Sequence, residues 1–254
     1  MTNREKYHFD DFTFENYRKL IQLAKAKGFQ FILHKDEFVS ERKDIIWRHD
    51  VEFEPDYALR MAQIEYEEGV KATFFFQLHS TYYNMVDPHY REVFHQIKDL
   101  GHCVGLHFDS AYWGITDESQ LNDYIILDKQ YLEKNMGVAI DTFSFHNTTP
   151  FTQSCLEYRY GGLINSYASF FKEHYNYCGD SLGYWRFDRL EDMLNDENVQ
   201  HLQVLTHDGN WSEEVLSVRK RYYKMLHAHA DRVFNSQVNG LHKKGMLVPD
   251  DNED

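Results

Sequence analysis

The stretch Ile45-Ile46-Trp47-Arg48-His49-Asp50-Val51-Glu52 decides how this chain is read. An apolar run passes directly into Arg48, His49, Asp50 and Glu52. A buried parallel strand has this pattern where it opens onto a site. Asp50 and Glu52 are two apart, so an extended chain points both carboxylates the same way. Two aligned carboxylates beside a histidine and an arginine suit cation binding or acid–base work. The competing reading is a strand-end salt-bridge network, because structural ion pairs also perturb their members.

Outward from this strand, helical and extended patterns alternate. Residues 13–28 and 55–68 carry helical periodicity and end at Gly28 and Gly69. Helices are also expected over 87–100, 117–136 (capped by Thr116 or Asp117), 188–196 and 212–236, the last opened by Ser212-Glu213-Glu214. Strands are expected at 29–33, 44–49, 72–76, 103–106, 140–145, around Leu163-Ile164 and at 202–205. Such alternation predicts an α/β fold of mostly parallel strands with helical crossovers. Residues 147–187, rich in Tyr, Gly, Asn and Ser, read as loops around a site. With no internal repeat or linker, residues 1–247 are expected to form a single domain, followed by an acidic, disordered tail at 248–254.

Composition narrows the function. The 27 basic and 41 acidic residues leave a net charge of −14, which disfavours nucleic-acid and anionic-membrane binding. No apolar run approaches the roughly 18 residues of a membrane span. The N-terminus shows no signal-peptide pattern. Cys103, Cys155 and Cys178 have no CxxC spacing and read as reduced thiols, so a cytoplasmic location is expected.

Five expected strands finish in an imidazole: His49, His79, His107, His146 and His207. Parallel strand ends converge on one face, where α/β active sites sit. A single strand-end histidine is commonly structural, but five aligned ones are a ligand set for a divalent ion such as zinc.

The runs Arg48-His49-Asp50-Val51-Glu52, Gly69-Val70-Lys71-Ala72-Thr73-Phe74-Phe75-Phe76, Gly101-His102-Cys103-Val104-Gly105-Leu106-His107 and Leu205-Thr206-His207 resemble the NodB-homology polysaccharide deacetylases. The resemblance covers about residues 40–210 and is nearest to a deacetylase-like branch of surface-polysaccharide biosynthesis clusters. It implies a distorted (β/α)7-type barrel and metal-dependent removal of an N-acetyl group from a sugar or glycan precursor. It makes Asp50 the general base, Glu52 and His107 metal ligands, and His207 the general acid.

Two departures from the family pattern stand out. Glu52 replaces an aspartate, and Ala111 occupies the position of a second metal histidine. His146 or Asp109 would have to supply that ligand, and His146 is the stronger candidate because its imidazole suits the same ion. The segment Asp180–Arg186 also recurs in this branch; Asp180 is taken as an orienter of catalytic groups, with a surface turn as the alternative. Arg48, His49, Asn147, Arg186 and Trp211 are taken as substrate contacts. The expected ion is zinc. The expected substrate is a carbohydrate, carried as a nucleotide- or lipid-linked sugar. Ala111 also supports a different reading, a degenerate member that binds a glycan or partner without chemistry.

Overall fold

The computed structural model describes residues 1–246. The acidic tail expected at 248–254 lies outside the described residues. In chain order the helices are α1 (Asn3–Lys6), α2 (Phe14–Ala26), α3 (Pro55–Glu67), α4 (Pro88–Asp99), α5 (Leu121–Met136), α6 (Pro150–Ser154), α7 (Ser169–His174), α8 (Leu190–Asn195) and α9 (Val218–Lys243). The strands are β1 (Gln30–Ile32), β2 (Asp44–Val51), β3 (Thr73–Gln77), β4 (Cys103–Phe108), β5 (Thr142–Phe145), β6 (Arg159–Tyr160), β7 (Leu163–Asn165), β8 (Asn176–Gly179) and β9 (His201–His207).

Local chemistry sets many of these boundaries. Thr13 caps α2 by accepting a hydrogen bond from the Asn16 N–H, and α3 and α4 each begin on a proline. Phe14, Tyr17, Leu20, Ile21 and Ala24 form the buried stripe of α2.

One curled sheet orders the chain. Its path is β6-β7-β5-β4-β3-β2-β9-β8, with β1 paired to the beginning of β2. From β7 to β8 every neighbouring pair is parallel; only the β6–β7 hairpin is antiparallel. The sheet curls into an open barrel whose parallel strands all deliver their C-terminal ends to one mouth. Among the described residues β7 and β8 do not pair, so the barrel has a seam there. Helix α7 lies between these strands in the chain.

Residue parity divides the two faces of β2. Ile45, Trp47 and Val51 belong to the large apolar cluster shared with the helices. Ile46 belongs to a second cluster with Ile32, Ile164, Ala168, Phe171 and Tyr175, on the inner side of the sheet. Phe74, Phe76, Leu106, Phe108, Phe143, Leu202 and Val204 extend the outer cluster along the other strands. Burying each such side chain contributes about 1.5–3 kcal/mol. On the inner side, a Cβ at Gly105 would stand 2.7 Å from the Phe75 ring and 2.8 Å from the Thr142 carbonyl oxygen. Glycine is what allows that ring to lie inside the barrel beneath His107.

Several expectations are corrected. Within residues 147–187, alongside the loops and the expected strand at Leu163-Ile164 (β7), stand α6, β6, α7 and β8. Helix α9 begins at Val218 with Ser217 as its cap, not at Ser212. The Ser212 N–H instead donates to the Phe12 carbonyl and ties the chain to the start of α2. The helix expected over 117–136 starts with a 3-10 turn, Glu118–Gln120, before α5. Among the described residues no helix is long and apolar enough to cross a membrane.

Candidate metal centre and active site

The inner faces of β2, β4 and β5 bring three potential ligands to the mouth. Glu52 follows β2, His107 lies on β4 and His146 follows β5. Their ligand atoms all fall within 4.8 Å of one another. Glu52 Oε1 is 2.9 Å from His107 Nε2 and 3.0 Å from His146 Nδ1, and the two nitrogens are 3.2 Å apart. Tetrahedral zinc with bonds of about 2.0–2.1 Å needs ligand atoms about 3.3 Å apart. The donor set, one carboxylate and two imidazoles with a side open to a cavity, therefore fits a catalytic zinc-type ion.

Each ligand is held from behind. The far nitrogen of His107, Nδ1, is 2.7 Å from Ser144 Oγ, and Ser144 donates to Asp50 Oδ1 at 2.8 Å. Asn147 Nδ2 lies 2.8 Å from His146 Nε2, and its backbone is left-handed at φ 44°. Such strain in a non-glycine residue is retained where the surroundings fix it. The Glu52 segment is pinned by Asp208, which is completely buried. Its carboxylate accepts the N–H groups of Glu52, Phe53 and Glu54. Burial pushes Asp208 up to about 6 against the pull of those donors. Ser80 adds a hydrogen bond to the Glu52 carbonyl.

Charge within the cluster is cooperative. Burial would raise the Glu52 carboxyl, but hydrogen bonds from His107 and His146 outweigh it and hold the group well below the usual range. Burial likewise works against a charged His146, and the Glu52 carboxylate more than offsets it.

His207 stands on β9, next to β2, and its partner is Asp180 at the end of β8. His207 Nδ1 is 2.6 Å from Asp180 Oδ1, and the His207 backbone N–H donates to Asp180 Oδ2. Trp211 Nε1 donates to the same carboxylate at 3.0 Å. Burial would lower the His207 pKa; the Asp180 charge and hydrogen bond overcome it and raise it to about 10. With Nδ1 held by Asp180, Nε2 is the nitrogen left to carry a proton to a substrate.

A stability test follows from that shift. The contribution of the His207–Asp180 pair is full below about pH 6.5, where both folded and unfolded chains hold the proton. It declines above that and is lost as pH rises through about 10. Asp180→Asn, melted beside the parent in chelator, should therefore show a deficit in Tm that shrinks from pH 6.5 to pH 10. A deficit independent of pH would leave Asp180 with packing alone.

A cavity of about 700 Å³ adjoins these groups. Asp50, Glu52 and His207 border it, together with Asn147 and Arg186. Three expected substrate contacts are corrected. His49 lies on the opposite face of β2 from Asp50, completely buried, with Nε2 2.8 Å from Glu65 and Nδ1 2.7 Å from Thr206 Oγ1. Trp211 is buried against Phe12, Tyr17 and Trp185 and reaches the site only through Asp180. Arg48 shares the inner face with Asp50 but is sealed behind Tyr167, its guanidinium 4.5 Å from that ring. His79 turns to Asp128 and stacks on Tyr112, outside the ligand cluster. Asp109 caps the turn after β4 by accepting the Ala111 and Tyr112 N–H groups, and Ala111 is exposed.

Ser144 and Asp208 escaped the sequence reading. Ser144 is two residues before His146 and so shares its face, a signal that parity could have supplied. Asp208 offers no such signal, since its three donors belong to a distant turn.

No protein-family model matches this chain, and no curated protein does. Among solved structures it is similar to a family 4 carbohydrate esterase from Bacillus anthracis, at 16% identity over 90% of this chain and 87% of the other, TM-score 0.45. It is similar to the chitin deacetylase of the fungal pathogen Colletotrichum lindemuthianum, at 16% identity over 78% and 86%, TM-score 0.44. A family 4 pseudoenzyme from Bacillus anthracis matches at 14% identity over 74% and 62%, TM-score 0.43.

Proposed function

We propose that this chain is a metal-dependent hydrolase that removes an N-acetyl or other N-acyl group from a sugar or glycan precursor. The observation that carries the reading is the meeting of Glu52, His107 and His146 beside Asp50 and the His207–Asp180 pair, with Asp50, Glu52 and His207 bordering one cavity. An ion held by the three ligands, zinc being the expected one, would supply Lewis acidity toward an acyl carbonyl and a water. Asp50, positioned by Ser144, takes the proton of the attacking water. His207 delivers a proton to the departing amine, and Asp180 keeps its ring turned and charged. Tyr167, Tyr177 and Phe187 on the cavity wall suit the faces of a sugar ring.

The reading takes residues 1–247 as one catalytic domain. It includes a cytoplasmic setting, which the free thiols of Cys103, Cys155 and Cys178 support. It also includes a nucleotide- or lipid-linked sugar as substrate and a role in surface-polysaccharide synthesis, both from the motif resemblance.

The exposed Ala111, where the motif resemblance calls for a histidine, favours a second reading: a protein that binds a glycan without chemistry. Elemental analysis and acetate release separate the two. The hydrolase should carry close to one equivalent of divalent metal, release acetate from an N-acetylated sugar, and lose that activity in chelator. Protein that takes up no zinc at micromolar concentration would sink the hydrolase and leave the binder.

A further inference from the structure

The mouth of the cavity carries more apolar surface than a sugar requires. Leu182 and Phe187 both border the cavity, yet they are 64% and 70% exposed, so they stand on its rim. Phe187 is the most exposed of the three aromatic rings on the wall and has area to spare after meeting a sugar. Leu182 offers a sugar neither a ring face nor a hydrogen bond. Phe53 and Tyr222 border the same cavity, with ring centroids 5.1 Å apart, and add to the apolar band. The one hydroxyl in that band, on Tyr222, already donates to Asn210 Oδ1 at 3.0 Å.

The rim is held in this outward conformation. Leu182 is left-handed, at φ 67° and ψ 13°, a backbone that bulky residues rarely adopt. Strain of this kind persists only where the surroundings impose it. Before Leu182, the Asp180 carbonyl accepts from Asn210 Nδ2 at 2.9 Å. After it, the Gly183 carbonyl accepts from the buried Arg221 guanidinium. Further on, Trp185 Nε1 and Arg189 Nε donate to the buried Asp11 carboxylate at 2.9 and 2.7 Å. Trp185 is drawn inward to 8% exposure, while Leu182 and Phe187 on either side of it are left in solvent. The Arg186 guanidinium lies over the Phe187 ring, 5.2 Å from its centroid, and steadies it. Apolar residues scattered singly over a surface need no explanation. A tightly fastened loop that turns two of them outward at the mouth of a cavity is a different case.

We propose that this rim holds an apolar chain attached to the sugar, so that the substrate is a lipid-linked N-acyl sugar and not a nucleotide-linked one. The identification rests on the hydrolase reading above, which puts the sugar in the cavity. The group that crosses the rim is then the one the sugar carries. A nucleotide there would need hydrogen-bonding partners for its base and ribose, and a further sugar would need them for its hydroxyls. Leu182, Phe187, Phe53 and Tyr222 supply apolar area instead.

Calorimetric titration tests this without requiring turnover. The probes are the methyl, hexyl and octyl glycosides of N-acetylglucosamine, kept below their micellar concentrations, beside UDP-N-acetylglucosamine and N,N′-diacetylchitobiose. Each is titrated in chelator and again after addition of zinc. The octyl glycoside should bind at least about tenfold tighter than the methyl glycoside, a gain that burial of about two methylenes supplies. Leu182→Asn suits the left-handed backbone and removes the branched side chain. Combined with Phe187→Ser, it should bring the octyl-to-methyl ratio below about threefold while the methyl glycoside binds as it does to the parent. Tyr223→Ser, at a ring that is 64% exposed but outside the cavity wall, should leave the ratio intact. A smaller gain from the octyl chain, or no binding by any glycoside, overturns the proposal. So does a double variant that keeps the ratio above about threefold, or a Tyr223→Ser protein that loses it. Loss of UDP-N-acetylglucosamine or chitobiose affinity in the double variant, with octyl binding unchanged, would give the rim to a nucleotide or a glycan instead. A chain preference without zinc uptake would defeat the hydrolase reading alone, and zinc uptake with acetate release but no chain preference would defeat this one alone.

Discussion

Asp50→Asn is expected to lower turnover by about 10²–10⁴-fold, the range typical of a lost general base, with metal content unchanged. The substitution preserves size and can still accept from Ser144 Oγ, which lies 2.8 Å from Asp50 Oδ1. It removes the charge that would take a proton. Asp50 is not among the three converging ligand atoms, so metal content should follow Glu52, His107 and His146 instead. At 2% exposure, Asp50 is shielded from bulk solvent, and outside buffer is a poor substitute for it. Steady-state rates and metal analysis on the same preparation decide the matter. Turnover within a factor of ten of the parent would remove Asp50 from the base role. Loss of metal together with activity would make it a ligand.

The strand-end reading reached the site because parallel strands share one polarity. Once β2, β4, β5 and β9 are parallel strands of one sheet, His107, His146 and His207 must arrive at the same mouth as Asp50 and Glu52. The face of each residue was less legible, although period two contains it. His49 is one residue out of step with Asp50 and therefore meets Glu65 and Thr206 among the helices. Trp211 is close to His207 in sequence, yet the 3-10 turn Asp208–Asn210 swings it behind Asp180. The strands β6 and β8 were invisible for another reason. At two and four residues they are too short to show alternation, and pairing with β7 and β9 defines them. The start of α9 was placed too early, at Ser212, because a serine before a glutamate pair looks like a helix cap. The bridge between Ser212 and Thr13 holds Ser212 out of the helix, and Ser217 caps it instead. Arg48 illustrates a further limit. Parity places it on the inner face with Asp50, but the Tyr167 ring that seals it comes from a segment read only as loop.

His146→Ala should weaken zinc affinity by more than about 100-fold, beyond the 10–100-fold usual when only a group that orients a ligand is lost. Ala111 offers no ligand where the motif resemblance calls for a histidine. A catalytic zinc site needs three protein ligands and one open position. Glu52 and His107 would provide two, and the ring of His146 reaches both, at 3.0 and 3.2 Å, from the neighbouring strand β5. The longer arm of glutamate suits this arrangement, because one oxygen, Oε1, lies within 3.0 Å of both imidazoles. Asp109 is occupied in capping the turn after β4, so Asp109→Ala should change zinc affinity far less. Asn147→Ala occupies the middle ground: it removes the group 2.8 Å from His146 Nε2 and should cost about 10–100-fold. Titration of the three variants against a competing chelator gives the order directly. If His146→Ala kept the parent's affinity while activity fell, His146 would be a substrate contact, and any metal would rest on ligands other than this cluster. If Asp109→Ala lost more affinity than His146→Ala, the turn after β4 would have to rearrange on metal binding to bring Asp109 in place of the missing histidine.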